Sequence, residues 1–234
     1  MKGTAGQNRL NRLRAVVTFV AAALFVKVFL SILYEYRFYF PADFDSAFLS
    51  GRQGSFYGHY CVAFYAHIVS GPLALVGGSL LMLSRGRRRY RELHRWAGRI
   101  LAVIVLAILL PSGLVMARRA FAGPIAGVGF AALSITTAAC MAFAVHYARR
   151  RQFQMHQKWA CRFFILLCSP LLLRLISGSV TVMRLESDWF YRLNAWFSWL
   201  IPLAIYEVWC CSQAHHRSYA SSHLIHCVTE EALP

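Results

Sequence analysis

The chain has 234 residues, of which 58% are hydrophobic and only 15% are charged, and its formal net charge is +16. This composition excludes a soluble domain and predicts an integral membrane protein, because its apolar runs of about 20 residues are long enough to cross a bilayer. In a soluble chain the positive charge would suggest nucleic acid. In a membrane protein it reflects Lys and Arg on the cytoplasmic side, so we expect a lipid bilayer and no nucleic-acid partner.

Six apolar runs follow one another along the chain. They cover residues 15–33, 59–82, 96–116, 125–147, 159–178 and 193–211. Short loops separate them, which predicts an all-α bundle of six transmembrane helices. The chain then divides into a basic cytoplasmic N-terminal tail (1–14), a transmembrane domain (15–212) and a disordered cytoplasmic C-terminal tail (213–234). No small-x-small cleavage pattern follows the first run, which predicts an uncleaved anchor helix.

The Lys and Arg residues divide unequally between the two ends of these runs. The N-terminal tail, residues 85–99, residues 149–162 and the C-terminal tail hold 17 of the 25 cations, whereas the opposite loops hold 6. By the positive-inside rule, both termini are expected in the cytoplasm.

His67 in the second run begins a stripe of small residues. The stripe continues at helical spacing with Ser70, Gly71, Ala74 and Gly78. Arg174 and Lys27, in the fifth and first runs, lie at a depth similar to that of His67 by helix rise. His67, Ser70, Arg174 and Lys27 are therefore a candidate outward-facing pocket for an anion, a quinone headgroup or a haem propionate. The alternative is that the long side chains extend to the nearby outer surface without contacting a ligand.

Two short stretches nearly repeat each other, each ahead of an apolar run. They read His94-Arg95-Trp96-Ala97-Gly98-Arg99 and His156-Gln157-Lys158-Trp159-Ala160-Cys161-Arg162. The third and fifth runs cross the membrane in the same direction, so His94 and His156 are expected at one cytoplasmic depth, where they can face each other. His67 lies roughly 20 Å further out and cannot join them.

Two facing histidines in a membrane are typical of a b-type haem with His94 and His156 as ligands of the iron. Gly98 would let the porphyrin approach, and Arg95, Arg99 and Arg162 would pair with its propionates. Such a protein would carry electrons between a quinone-level donor and an unidentified partner. The alternative is that both stretches anchor helices at the lipid surface, in a cofactor-free scaffold or small-ligand-binding protein without catalytic activity.

Other sequence motifs of catalysis and cofactor binding do not occur. The chain has no CxxC, CxxCH, Walker, dinucleotide-binding or His-Glu-x-x-His pattern, so the sequence assigns no catalytic residue and leaves enzymatic activity open. Glu207 in the sixth run is expected to form a structural ion pair with Arg99, Arg162 or a histidine. Histidines and a cysteine in the C-terminal tail form a weak metal-binding pattern.

The order of the motifs resembles that of a bacterial protein family. The matching elements are His67-Ile68-Val69-Ser70-Gly71-Pro72, Leu93-His94-Arg95-Trp96-Ala97-Gly98-Arg99, Ser112-Gly113-Leu114, His156-x-x-Trp159 with Arg162, and Arg174. Over about residues 60–210 they resemble the polytopic membrane proteins called domain of unknown function 2306. The resemblance implies a multi-pass protein of the bacterial cytoplasmic (inner) membrane and no established reaction. The paired histidines also distantly resemble cytochrome b561-like haem bundles, although helices two and four lack a second histidine pair.

Overall fold

Eight α-helices make up most of the described chain. The computed structural model describes the backbone of residues 3–46, 48–185 and 187–230, and the side chains of residues 6–46, 48–87, 89–185 and 187–213. The helices are α1 (Gly3–Glu35), α2 (Gly58–Leu83), α3 (Arg91–Val103), α4 (Leu110–Ala117), α5 (Pro124–Arg149), α6 (Phe153–Leu167), α7 (Ser169–Val182) and α8 (Asp188–Glu230). A π-helical segment, Ile104–Leu109, joins α3 to α4.

Five helical segments within the described residues are long and apolar enough to cross a membrane. They are Gly6–Phe38, Gly58–Leu83, Arg91–Ala117, Pro124–Arg149 and Phe153–Val182, which correspond to the first five predicted runs. The sixth run is helical as part of α8 but is not among the five. Asn194, Glu207 and several tryptophans lower its mean hydropathy.

Two boundaries differ from the sequence prediction. Helix α1 already begins at Gly3, so the basic segment predicted as a tail continues the first helix. Helix α8 continues to Glu230, through the segment predicted to be disordered. Neither residues 7–35 nor residues 203–230 contain Gly or Pro, so nothing in them interrupts a helix once it has formed. The side chains of residues 214–234 lie outside the described residues, and so does the metal-binding pattern of the tail.

Two prolines interrupt membrane-spanning segments. The π-helical segment directly precedes α4, whose second residue is Pro111, and α6 ends at Leu167, three residues before Pro170. Proline has no N–H group and its ring crowds the preceding turn, so it removes a helical hydrogen bond and favours an interruption, although α2 and α8 continue through Pro72 and Pro202. Both interruptions lie beside the internal cavity described below.

The buried side chains form two groups. The larger group lies between α2, α3 and α5 to α8, and its members include Leu75, Leu101, Val105, Met141, Phe163, Leu166 and Trp199. A second group forms where the loop of residues 36–57 folds over the N-terminal end of α2. There Leu49 and Phe64 are completely buried and several aromatic rings pack edge to face. Burying each of these two side chains contributes about 1.5–3 kcal/mol.

Candidate functional site

His94 and His156 are brought together at one end of the bundle. Each is the fourth residue of its helix, α3 for His94 and α6 for His156. Their ring centres are 6.5 Å apart and the ring planes are nearly perpendicular, at 81°. Both side chains are partly buried. The near repeat in the sequence therefore corresponds to two equivalent positions that face each other.

Hydrogen bonds fix the orientation of both rings through Nδ1. His156 Nδ1 donates to the carbonyl oxygen of Ala144 at 2.9 Å. His94 Nδ1 lies 3.1 Å from Ser84 Oγ, whose own proton goes to the carbonyl oxygen of Leu81. His94 Nδ1 is thus the donor to Ser84. In neutral imidazoles this arrangement leaves the lone pair on Nε2 of each ring, the usual state of histidines that bind a metal.

The small and cationic residues near the pair differ in what they contact. A Cβ atom added to Gly98 would meet no heavy atom within 4 Å, so the space beside this glycine is open. Arg95 is exposed, and Arg99 lies over the ring of Trp96 with its guanidinium carbon 5.0 Å from the ring centre. The indole nitrogen of Trp159 is buried without a hydrogen-bond partner among the described residues.

Arg162 is committed to an ion pair. Its Nε and Nη2 atoms donate to the two carboxylate oxygens of Glu207 at 2.5 and 2.7 Å. The ion pair expected for Glu207 is therefore confirmed, with Arg162 as the partner. Because the Glu207 carboxylate balances its charge, Arg162 does not offer an unpaired cation to a haem propionate.

A cavity of about 320 Å³ lies toward the end of the bundle opposite His94 and His156. His67 and Arg174 both line it, together with residues from α1, α2, α4 to α7 and the loop after α1. Ser70 and Lys27 are not among the lining residues. The hydroxyl of Ser70 turns back to the carbonyl oxygen of His67, and Lys27 is exposed on α1. Of the four predicted pocket residues, the fold brings two to one cavity.

The charge of Arg174 is balanced by a residue that sequence reasoning did not consider. Its Nη1 atom donates to Glu35 Oε2 at 2.7 Å, which joins α7 to the end of α1. The hydroxyl of Tyr39 donates to the same oxygen at 3.3 Å. Burial, followed by the nearby Glu35 carboxylate, raises the pKa of Tyr39, so this hydroxyl keeps its proton and remains a donor.

His67 is held by Ser112 in the first turn of α4, directly after the π-helical segment. Its Nδ1 atom lies 3.2 Å from Ser112 Oγ, and that hydroxyl donates to the carbonyl oxygen of Ile108 at 2.7 Å. Gly113 makes the contact possible, because a Cβ atom there would lie 2.6 Å from Ser134 Oγ and 3.3 Å from His67 Cε1. The Ser112-Gly113 motif therefore has a packing role beside His67.

Sequence reasoning missed three polar groups of this region. Sequence reasoning assigned no role to Glu35, included Ser112 only in a family motif and did not consider Ser169. The available signal for the ion pair was the position of Glu35 just after the first apolar run, together with that of Arg174 inside the fifth run. No sequence signal distinguishes Ser169 from other helical serines.

One of three comparisons with known proteins identifies a family. The profile of the family described as predicted membrane protein, DUF2306, matches residues 64–210. No curated protein and no solved structure matches the chain. The described residues contain no group of three or more His, Cys, Asp or Glu side chains placed to hold a metal ion. The match covers more than half of the chain, from α2 into α8, and the protein therefore belongs to the DUF2306 family of predicted membrane proteins.

Proposed function

We propose that this membrane protein binds one b-type haem between His94 and His156 and carries electrons between a quinone-level donor and a partner yet to be identified. The observation that carries the proposal is the pair of facing imidazole rings, 6.5 Å apart at their centres. A haem iron takes four ligands from the porphyrin and two from the protein, so two histidines are the required number.

The separation of the rings suits a shared metal. Two imidazoles that bind opposite sides of one metal ion, each through a nitrogen about 2.0–2.1 Å from it, have ring centres roughly 6 Å apart. The Nδ1 hydrogen bonds to Ser84 and Ala144 support the same reading, because they leave Nε2 as the binding atom on both rings. A bis-histidine haem supplies one-electron transfer.

Three residues near the pair support the proposal of a porphyrin. Gly98 leaves open space one turn after His94. Arg95 and Arg99 are exposed cations at the same helix end, suited to the propionate groups. Arg162 is not included among these residues because it forms an ion pair with Glu207.

The proposed topology has six membrane-spanning helices with both termini in the cytoplasm of a bacterial cell. It rests on the division of cations, 17 to 6, and on the helical conformation of the sixth run within α8. In this orientation His94 and His156 lie near the cytoplasmic surface, and the cavity lies toward the outside.

The ligand variants test the proposal by visible absorption spectroscopy. Full-length protein purified from haem-replete cells is expected to show a low-spin spectrum, and His94→Ala and His156→Ala are expected to lose it or change it to high spin. His146→Ala is the matched control, because His146 is an exposed histidine at the same end of the bundle. An unchanged spectrum in both ligand variants would refute the assignment.

A second candidate function is small-ligand binding without electron transfer. It is favoured by the internal cavity, whose volume of about 320 Å³ is within the range of ligand pockets. If the protein purified from haem-replete cells is colourless, small-ligand binding replaces haem binding as the proposed function.

A further inference from the structure

One buried hydroxyl in the cavity wall is unsatisfied. Ser169 begins α7, is 1% exposed and lines the cavity, and its Oγ has no hydrogen-bond partner among the described residues. Leaving a buried donor unpaired costs free energy, and a ligand in the cavity that accepts a hydrogen bond would recover that cost.

The cationic side chains at the cavity already donate hydrogen bonds to protein groups. Arg174 is paired with Glu35 at 2.7 Å. Arg52 donates to the hydroxyl of Tyr60 at 2.7 Å and to the carbonyl oxygen of Arg119 at 3.2 Å. The unsatisfied group is therefore a neutral hydroxyl, which favours a neutral ligand that carries an oxygen acceptor.

The walls favour a flat ring with an apolar extension. The cavity is lined by aromatic side chains at its outer end and aliphatic ones deeper in the bundle. The aromatic residues include Tyr36, Tyr39, Phe48, Phe64 and Tyr191, and the deeper aliphatic ones include Leu75, Val105 and Leu166. Aromatic walls pack well against a flat ring by offset or edge contacts.

The first helix forms a lightly packed side of the cavity. Phe29 and Ile32 of α1 contribute to the lining, yet the apolar window of this helix contains no buried residue. A cavity of about 320 Å³ holds a headgroup but not a long chain, so a tail would leave beside α1 into the surrounding lipid.

We propose that this cavity binds the headgroup of a lipid-soluble quinone or quinol, with the Ser169 hydroxyl donating a hydrogen bond to a ring oxygen. His67 also lines the cavity. Because its Nδ1 donates a hydrogen bond to Ser112, its Nε2 is the atom that can accept a hydrogen bond from a quinol hydroxyl. The inference concerns binding only and does not depend on haem at His94 and His156.

The test measures binding of decylubiquinone, a short-tailed benzoquinone, to the full-length protein in detergent. Binding is followed by tryptophan fluorescence quenching and by the unfolding temperature, with oleate as an anionic single-chain comparison. We expect decylubiquinone to bind and to raise the unfolding temperature, and Ser169→Ala to bind roughly threefold to tenfold more weakly. Without ligand, Ser169→Ala is expected to unfold at a higher temperature than the unaltered protein, because the variant no longer buries an unpaired hydroxyl.

Ser198 supplies the matched control. It is also 1% exposed with an unpartnered hydroxyl, but it does not line the cavity. Ser198→Ala should raise the ligand-free unfolding temperature in the same way and leave quinone binding unchanged. Ser169→Cys, which keeps the shape and weakens the donor, replaces Ser169→Ala if that variant does not fold.

Three results would overturn the inference: no saturable binding of decylubiquinone, tighter binding of oleate than of the quinone, or equal quinone affinities in the Ser169 and Ser198 variants. None of these readouts uses the colour of the protein. Failure of the quinone-binding experiment therefore says nothing about haem at the histidine pair. A colourless protein, in turn, says nothing about quinone binding in the cavity.

Discussion

Replacement of the Glu35 and Arg174 pair tests how α1 is attached to the bundle. The two side chains are 2.7 Å apart and each retains about a third of its surface, with 36% exposed for Glu35 and 33% for Arg174. Fully exposed pairs contribute about 0.2–1 kcal/mol, whereas removing one partner of a buried pair costs about 3–5 kcal/mol. Partial burial puts the coupling between these limits, at about 1–2 kcal/mol.

The assay is a double-mutant cycle in detergent. Glu35→Gln, Arg174→Gln and the double variant are unfolded with SDS, and the free energy of unfolding is followed by circular dichroism. Each single variant should lose about 1–2 kcal/mol of unfolding free energy. The double variant should lose little more than the less stable of the two single variants. Arg174→Gln combined with His67→Ala is the control. These two residues line the same cavity but do not hydrogen-bond to each other, so their losses in free energy of unfolding should be additive. Additive losses for Glu35 and Arg174 would refute the pairing.

Two further predictions concern packing and topology. Gly113→Ala should lose about 1–3 kcal/mol of stability, because the new methyl group would overlap Ser134 Oγ. Gly98→Ala should be neutral or slightly stabilising in the haem-free protein, because its new methyl group meets open space. Unfolding titrations of the two variants decide this, and equal losses would contradict the packing argument. Reporter fusions should indicate the cytoplasm after Ser84 and Gln152 and the outside after Gln53 and Ser187. A cytoplasmic signal at Gln53 would overturn the proposed topology.

The sequence predicted the helices and the histidine pair well because both depend on periodic signals. Apolar runs identify spans, and a repeated motif at the start of two parallel helices places His94 and His156 at one depth by helix rise alone. Their rotation toward each other was only an expectation, since the direction in which a helix side chain points depends on neighbouring helices.

The outer region was predicted less well because its contacts join distant segments. Depth alone grouped Lys27 with His67 and Arg174, but Lys27 does not line the cavity and is exposed. The partner of Arg174 is Glu35, which is 139 residues away in the chain. The π-helical segment that brings Ser112 to His67 also depends on local backbone geometry that hydrophobic periodicity does not report.

The most direct test of the proposed function is the haem content of the purified protein. Full-length protein from haem-replete cells should contain close to one haem b per chain, and its dithionite-reduced minus air-oxidised spectrum should show the alpha and beta bands of a low-spin haem. Protein that is colourless, or that carries haem equally well after His94 and His156 are both replaced by alanine, would contradict the assignment.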